Sequence, residues 1–399
     1  MLGQAVTGRF TPSEVALAPG LRGRKILFYT DARHFGGHEV ASLHVLGGML
    51  APGACVRFLL RETNHRLNDG LRELKQVHPQ LEIIHLAVPP LKYPDMARWF
   101  YRKYLGRLRA SFKEFAPDWV FVSQGNLAIS WAGLYVARGL KIPSLSYIPM
   151  AQPLSELLGA KGHLRAALSR RVVHWPTAWL TCTVAQKERL REAGARQPID
   201  ILPNPISIPR MRDREQARAA NEIPPDAQVI GMAGRLNNRQ KGCDVFVEAL
   251  LRASVDSPLR TTWLLLIGEG EARGTMQKKL EKAGWAGRMR FTGWTDAPWE
   301  HYAALDVLVM PSRFEGQPLT MQEALLCGVP VCGSRVDGLR DYLPEGWLSP
   351  PGDALQLRGK MESMLSNRED HGALLSAATE KVRAENNPGT FGLRLKSAF

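Results

Sequence analysis

Residues 312–331 read SRFEGQPLTMQEALLCGVPV. They follow a largely apolar run, Asp306-Val307-Leu308-Val309-Met310, that stops at Pro311. Such a run closed by proline predicts a buried strand. Phe314 to Gln317 reads as a tight loop. Pro318 stands where a helix should open, a place where its missing N–H costs nothing. Gly328 predicts the helix C-cap and Pro330 the stop behind it. Strand, glycine-containing loop and helix in this order point free backbone N–H groups and a positive dipole end at whatever sits above the strand. Such a place suits a diphosphate. Glu315 in the loop and Glu323 in the helix lie on either side of that helix start. A carboxylate beside a phosphate site does not bind the phosphate. It is suited to accept hydrogen bonds from hydroxyls, as a sugar offers.

Working outward, the same order recurs. Val229 to Ala233 predicts a strand, Gly234-Arg235-Leu236 ends it, and Lys241-Gly242-x-Asp244 starts the next helix. Two cations flanking a strand-to-helix loop can hold two phosphates and stabilise a departing diphosphate as its charge grows. As residues alone they are equally well read as solvated surface charges. Gly268-Glu269-Gly270 and Gly293-Trp294 are glycine turns at strand ends, on the edge where open α/β sheets bind ligands. An ordinary turn is the plain reading of each. Near the N-terminus, the strand Lys25–Thr30 leads through Phe35-Gly36-Gly37-His38-Glu39 into a helix, again an anion-friendly end.

Glu315-Gly316-x-Pro318 with Glu323-Ala324-Leu325 and Gly328-x-Pro330-Val331 resembles the Glu-x7-Glu signature of retaining GT-B glycosyltransferases, most of all glycosyltransferase family 4 (group 1). The resemblance covers roughly residues 24–385 and is most specific from Gly234 to Pro351. It implies an α/β fold of GT-B type, two Rossmann-like domains facing each other across a cleft. It implies a nucleotide-sugar donor and a hydroxyl acceptor. Arg235 and Lys241 would hold the diphosphate, with backbone N–H groups near Gly316, Gln317, Pro318 and Leu319. Glu323 would bind the ribose, and Glu315 would lie by the transferred sugar and ease positive charge at its anomeric carbon. Glu315, Arg235 and Lys241 are thus the expected catalytic residues. The turn at Gly293-Trp294 would reach the base, and Gly36, Gly37 and Glu39 match a Gly-Gly-x-Glu that approaches the donor phosphates or sugar. Asn204-Pro205 matches the Asn-Pro at the family's hinge.

One departure is plain. Family members usually carry a histidine after the strand that here is Ser144–Tyr147. This chain has Tyr147-Ile148-Pro149-Met150 and no histidine until His163, with Tyr147 and Gln152 the polar residues at hand. No Asp-x-Asp pair occurs, which fits a site where cations and a helix dipole replace a metal, and neither metal nor cofactor is expected. His34 and His38 have metal-ligand spacing on a helix, but the glycine pair between them argues against one.

The length of 399 residues predicts two domains. Strands at 55–60, 81–88, 119–123, 144–147 and 178–184, with helices between, predict a parallel doubly wound sheet. Strands at 263–267 and 289–292 and helices at 275–283, 354–365 and 372–382 predict a second. The proline-rich run Pro198–Pro209 marks the boundary. The expected division is a loose arm at 1–22, an acceptor-side domain at 23–205, a donor domain at 206–385, and a segment at 386–399 that crosses back. The five cysteines form no C-x-x-C pair and read as reduced and mostly buried. With neither a spanning run nor a signal-peptide core, the chain is expected in the cytoplasm.

The net charge of +14 is uneven. Residues 1–200 hold 27 Lys+Arg against 14 Asp+Glu, or +13, and residues 201–399 hold 25 against 24, or +1. The first half should therefore face something anionic. Lys92 to Phe115 is its most basic stretch, with Trp99, Phe100, Tyr104, Leu105, Leu108 and Phe112 at helical spacing. Its apolar stripe reads as core, and its cations as solvated or as docking on the inner membrane face. The expected partners are a nucleotide sugar, a glycan or lipid-linked acceptor in cell-surface glycan synthesis, and an anionic membrane surface. No RNA-binding or helix-turn-helix pattern supports a nucleic acid. Two alternatives stay open: a nucleotide-sugar-binding protein without transfer activity, and a GT-B epimerase.

Overall fold

The computed structural model describes residues 21–33, 35–153, 160–167, 169–206, 212–367 and 371–387. The chain divides into two compact units. One holds the chain up to Pro205 and again from Asn386 on, and the other is Ile206–Glu385. The return at Asn386 is tied down within the first unit, where its side-chain amide donates to the Asn204 carbonyl (2.7 Å). The expected arm up to residue 20, the last helix at 391–399 and His34 lie outside the described residues.

The first unit is a seven-stranded parallel sheet in the order β3-β2-β1-β4-β5-β6-β7. Its strands are β1 (Lys25–Thr30), β2 (Cys55–Arg61), β3 (Leu81–Leu86), β4 (Trp119–Ser123), β5 (Ser144–Tyr147), β6 (Ala178–Thr181) and β7 (Ile199–Ile201). Alternation along β1 shows why helices cover both faces. Ile26 and Phe28 point into one apolar cluster, where Phe28 meets Phe58 and Phe121 at ring distances of 4.4 and 4.6 Å. Leu27 and Tyr29 point into the cluster on the opposite face.

The second unit is a six-stranded parallel sheet in the order β10-β9-β8-β11-β12-β13. It comprises β8 (Val229–Ala233), β9 (Trp263–Ile267), β10 (Met289–Gly293), β11 (Val307–Met310), β12 (Val331–Ser334) and β13 (Leu348–Ser349). In each sheet the order reverses beside its first strand, between β1 and β4 and between β8 and β11. Those switch points are where the crossover helices diverge and leave a crevice at the carboxyl edge.

The structure amends several expectations. β6 stops at Thr181 rather than at 184, because Thr183 caps the helix Val184–Glu192 by accepting from the Gln186 N–H (3.3 Å). The Pro198–Pro209 stretch is not all linker: β7 lies inside it, at a sheet edge that tolerates flanking prolines. β12 and β13 are too short and too rich in glycine and serine to read as strands. The basic stretch is broken at Tyr101 into helices Ala97–Phe100 and Arg102–Phe115. Leu105, Leu108 and Phe112 are core, whereas Trp99 (71 % exposed) and Phe100 (64 %) face solvent.

Candidate active site

The stretch 312–331 follows β11 at the switch point of the second sheet. Pro318 is extended (φ −73°, ψ 116°), so it is the N-cap of helix Leu319–Leu326 rather than its first residue. Proline offers no capping side chain, and none caps this helix start. Gly328 adopts φ +73° just past the helix end.

Glu315 is buried, and its Oε1 accepts from Lys241 Nζ (2.6 Å) and from Ser312 Oγ (2.7 Å). Lys241 comes from the loop after β8, and a glycine places it. Gly242 has φ +64°, and a Cβ there would stand 2.0 Å from the Pro311 carbonyl oxygen. Only glycine lets the start of helix Cys243–Leu251 close on the end of β11. Asn237 shapes the same loop, its Oδ1 accepting from the N–H groups of Gln240 (2.9 Å) and Lys241 (3.0 Å). Arg313 and Asp244 clamp the two loops in a two-pronged ion pair (2.8 and 2.7 Å). Burial works to raise the Asp244 pKa, but Arg313 outweighs it and holds the carboxyl below its ordinary value. Arg235 is exposed and, among the described residues, has no hydrogen bond or ion pair.

Glu323 is also buried, one turn along the helix, and its Oε2 accepts from Tyr302 OH (3.0 Å). Gln317 donates to Tyr342 OH (2.6 Å). The glycine turns pack backbone on backbone: a Cβ at Gly268 would lie 2.0 Å from the Gly234 carbonyl oxygen. Gly293 has φ +73° and bridges to Gly268, and Trp294 is half exposed beside Asp296. The structure thus brings Arg235, Lys241, Glu315 and the helix start at Leu319 to one edge, with Gly268, Gly293 and Trp294 on the neighbouring strand ends.

Gly36, Gly37 and Glu39 lie in the other unit, after β1. Gly36 is the N-cap of helix Gly37–Leu50, and its N–H donates to Glu39 Oε2 (2.8 Å). Of the two residues near the absent histidine, Tyr147 is committed to structure, donating to Asn204 Oδ1 (2.5 Å), and Gln152 is fully buried. Asn204 thereby holds the end of β5 and Asn386 together.

Sequence reasoning passed over Ser312, Asn237, Tyr302, Tyr342 and the Arg313–Asp244 clamp. Ser312, three residues before Glu315, carried a local signal. Tyr302 and Tyr342 carried none, since they reach the site only through the fold.

Two family models match the chain, Glycosyl transferase 4-like domain over residues 36–205 and Glycosyl transferases group 1 over residues 227–367. The chain belongs to the group 1 glycosyltransferase family. Among relatives of this glycosyltransferase is the 2-deoxystreptamine N-acetyl-D-glucosaminyltransferase of Streptomyces fradiae, 31 % identical over 283 residues, 66 % of either chain. Another is the lipopolysaccharide core biosynthesis glycosyltransferase LpsE of Rhizobium meliloti, 31 % identical over 159 residues, 40 % of this chain and 44 % of that one. The chain thus spans under two-thirds of the length of these relatives. Sucrose-phosphate synthase from Thermosynechococcus elongatus shares the fold, with a TM-score of 0.75 at 19 % identity over 94 % of this chain and 98 % of that one. The architecture is GT-B, two Rossmann-like units.

Proposed function

We propose that this glycosyltransferase moves a sugar from a nucleotide sugar to a hydroxyl acceptor, with retention at the anomeric carbon and without a metal. The observation that carries the reading is the Lys241–Glu315 pair beside the exposed Arg235 and an uncapped helix start. Arg235, Lys241 and the N–H groups at Leu319 and Thr320 are arranged to take a diphosphate. When Lys241 turns to phosphate, Glu315 gives up a cation and gains capacity for sugar hydroxyls. Ser312 keeps its carboxylate aimed meanwhile. The C1–O(phosphate) bond then breaks, and the electron pair leaves with the diphosphate, stabilised by both cations. The acceptor oxygen bonds to C1 from the same face, and its proton passes to the departing phosphate oxygen. Glu323, held by Tyr302, takes the ribose hydroxyls.

The relatives' names support a polyol or glycan acceptor, and cell-surface glycan synthesis is the wider role proposed. The test is a thermal-shift screen against UDP-, GDP- and ADP-sugars, because a bound donor raises the melting temperature by mass action. NMR of the product from the donor so found then reads the anomer. A retained anomer formed in EDTA is expected. An inverted product, or activity lost on chelation, overturns the corresponding part. Donor binding without transfer selects the inactive reading, and a changed sugar nucleotide without acceptor selects the epimerase.

Peripheral membrane docking by the first unit is the second part of the proposal. Trp99, Phe100 and Met96 are exposed beside Arg102, Lys103 and Arg107, which also face solvent. Arg109 belongs elsewhere: it donates to the Gly139 carbonyl (2.7 Å) at the end of helix Trp131–Leu140. Each cation near an anionic surface contributes roughly 1 kcal/mol, and the attraction fades within a Debye length. The protein should pellet with anionic but not neutral liposomes and be released by salt. Changing Arg102, Lys103 and Arg107 to Glu should abolish pelleting and leave donor binding intact. Wild-type protein that ignores anionic liposomes at low salt sinks this part.

A further inference from the structure

At the switch point of the first sheet stands a histidine that no part of the proposed reaction uses. His38 is the second residue of helix Gly37–Leu50. Its Nδ1 lies 2.9 Å from Glu39 Oε2, which also accepts the Gly36 N–H. Glu39 is 1 % exposed, so this carboxylate is a fixed fixture and not a surface charge. A ring nitrogen facing a carboxylate carries the proton, and in the neutral ring the other nitrogen is then an acceptor.

That second nitrogen, Nε2, is buried and, among the described residues, has no hydrogen-bond partner, and neither does Glu39 Oε1. Two unsatisfied buried polar atoms on neighbouring residues are uncommon, because each forfeits its hydration for nothing. The ring is held in place from the other side as well. It lies on Gly125, just past β4, where a Cβ would come 3.1 Å from His38 Cε1. Behind it Ser42 donates to the His38 carbonyl (2.8 Å) and meets Ser123 Oγ of β4 (2.6 Å). The imidazole is therefore oriented by a carboxylate on one nitrogen, floored by a glycine and left without a partner among the described residues at the other nitrogen. This is how a base or hydroxyl-binding group is prepared, the orienting partner fixing which nitrogen is presented.

We propose that His38 Nε2 accepts a hydrogen bond from a substrate hydroxyl, with Glu39 as the residue that positions it. The inference rests on the glycosyltransferase reading above, and the hydroxyl can belong to the donor's sugar or to the acceptor. His38 makes and breaks no covalent bond here; it orients a hydroxyl.

The test measures donor binding by calorimetry and transfer kinetics at varied acceptor, using the full-length protein. Wild-type protein must first bind a nucleotide sugar and transfer it; if it does not, the reading of function fails and not this inference. His38→Phe keeps the ring's bulk and removes the acceptor, and should cost about tenfold or more in kcat/KM. His38→Gln sets a carbonyl oxygen near the place of Nε2 and should recover part of the loss. Gly125→Ala should shift the ring by a few tenths of an ångström and weaken the same parameter more mildly than His38→Phe, without touching its chemistry. Glu39→Gln should weaken the same parameter as His38→Phe, whereas a merely structural carboxylate would lower stability alone. A weaker donor Kd assigns the hydroxyl to the donor sugar. A higher acceptor KM at unchanged donor Kd assigns it to the acceptor. The proposal is overturned if His38→Phe and Gly125→Ala change neither, or if His38→Gln is as impaired as His38→Phe.

Discussion

The two sheets wind alike and are furnished differently. Both reverse strand order beside their first strand, at β1/β4 and at β8/β11, and both set a glycine-bearing loop and a helix start there. At β8/β11 the crevice presents charge: an exposed arginine, a lysine–glutamate pair and an uncapped helix. At β1/β4 the helix start is already answered by its own glutamate, and a histidine and two serines fill the edge. At the first helix start the Gly36 N–H is taken by Glu39, whereas no side chain caps the second. Net charge runs the other way, with +13 in residues 1–200 and +1 in the rest. Charge on a unit's outer surface and charge at its ligand edge are thus separate properties.

The sharpest way to break that contrast is to remove the cations of the second edge. Arg235→Ala or Lys241→Ala should lower the transfer rate by about 10²-fold or more, the usual scale for one charge-stabilising group at a transition state. Steady-state kinetics reads it, and variants within about threefold of wild type would place the diphosphate elsewhere. The two glutamates sharpen it further. Glu315→Ala should lower kcat by about tenfold or more with donor affinity held or improved, since Lys241 loses its competitor for phosphate. Glu323→Ala should instead raise donor KM with little effect on kcat. Identical profiles from the two would make the pair structural.

Next in size is a packing change confined to one unit. Gly242→Ala forces a Cβ against the Pro311 carbonyl at a positive φ, and should cost about 2–3 kcal/mol. Denaturant unfolding followed by fluorescence should show an earlier transition in the second unit alone. An unchanged profile would show that the loop yields.

The smallest effect is electrostatic. The Asp244 pKa is depressed in the folded protein, so its pairing with Arg313 stabilises fully above the ordinary carboxylate pKa. That contribution is lost as pH falls through the lower folded value. Both groups are over a third exposed, so screening keeps it under about 1 kcal/mol. Asp244→Asn should flatten the acid limb of stability for the second unit, and an unaltered limb would assign it to other carboxylates.

Much was legible before any coordinates. β1, β4, β8 and β9 lie where the apolar runs put them, because a strand buried on both faces is apolar along most of its length. Local order also put Glu315, Arg235 and Lys241 at strand-to-helix junctions, since glycine and proline punctuate the chain through dihedral limits that need no tertiary partner. Tertiary structure alone decided which side chains meet. Lys241 reaches Glu315 because β8 and β11 are neighbours and Gly242 allows their loops to touch. Tyr302 finds Glu323, Tyr342 finds Gln317, and Gly125 underlies His38 across stretches of chain that no periodicity links. The split of the basic stretch at Tyr101, with Trp99 outside and Phe112 inside, was hidden for the same reason. Hydrophobic spacing says that a residue can be covered, and only the neighbours supplied by the fold cover it.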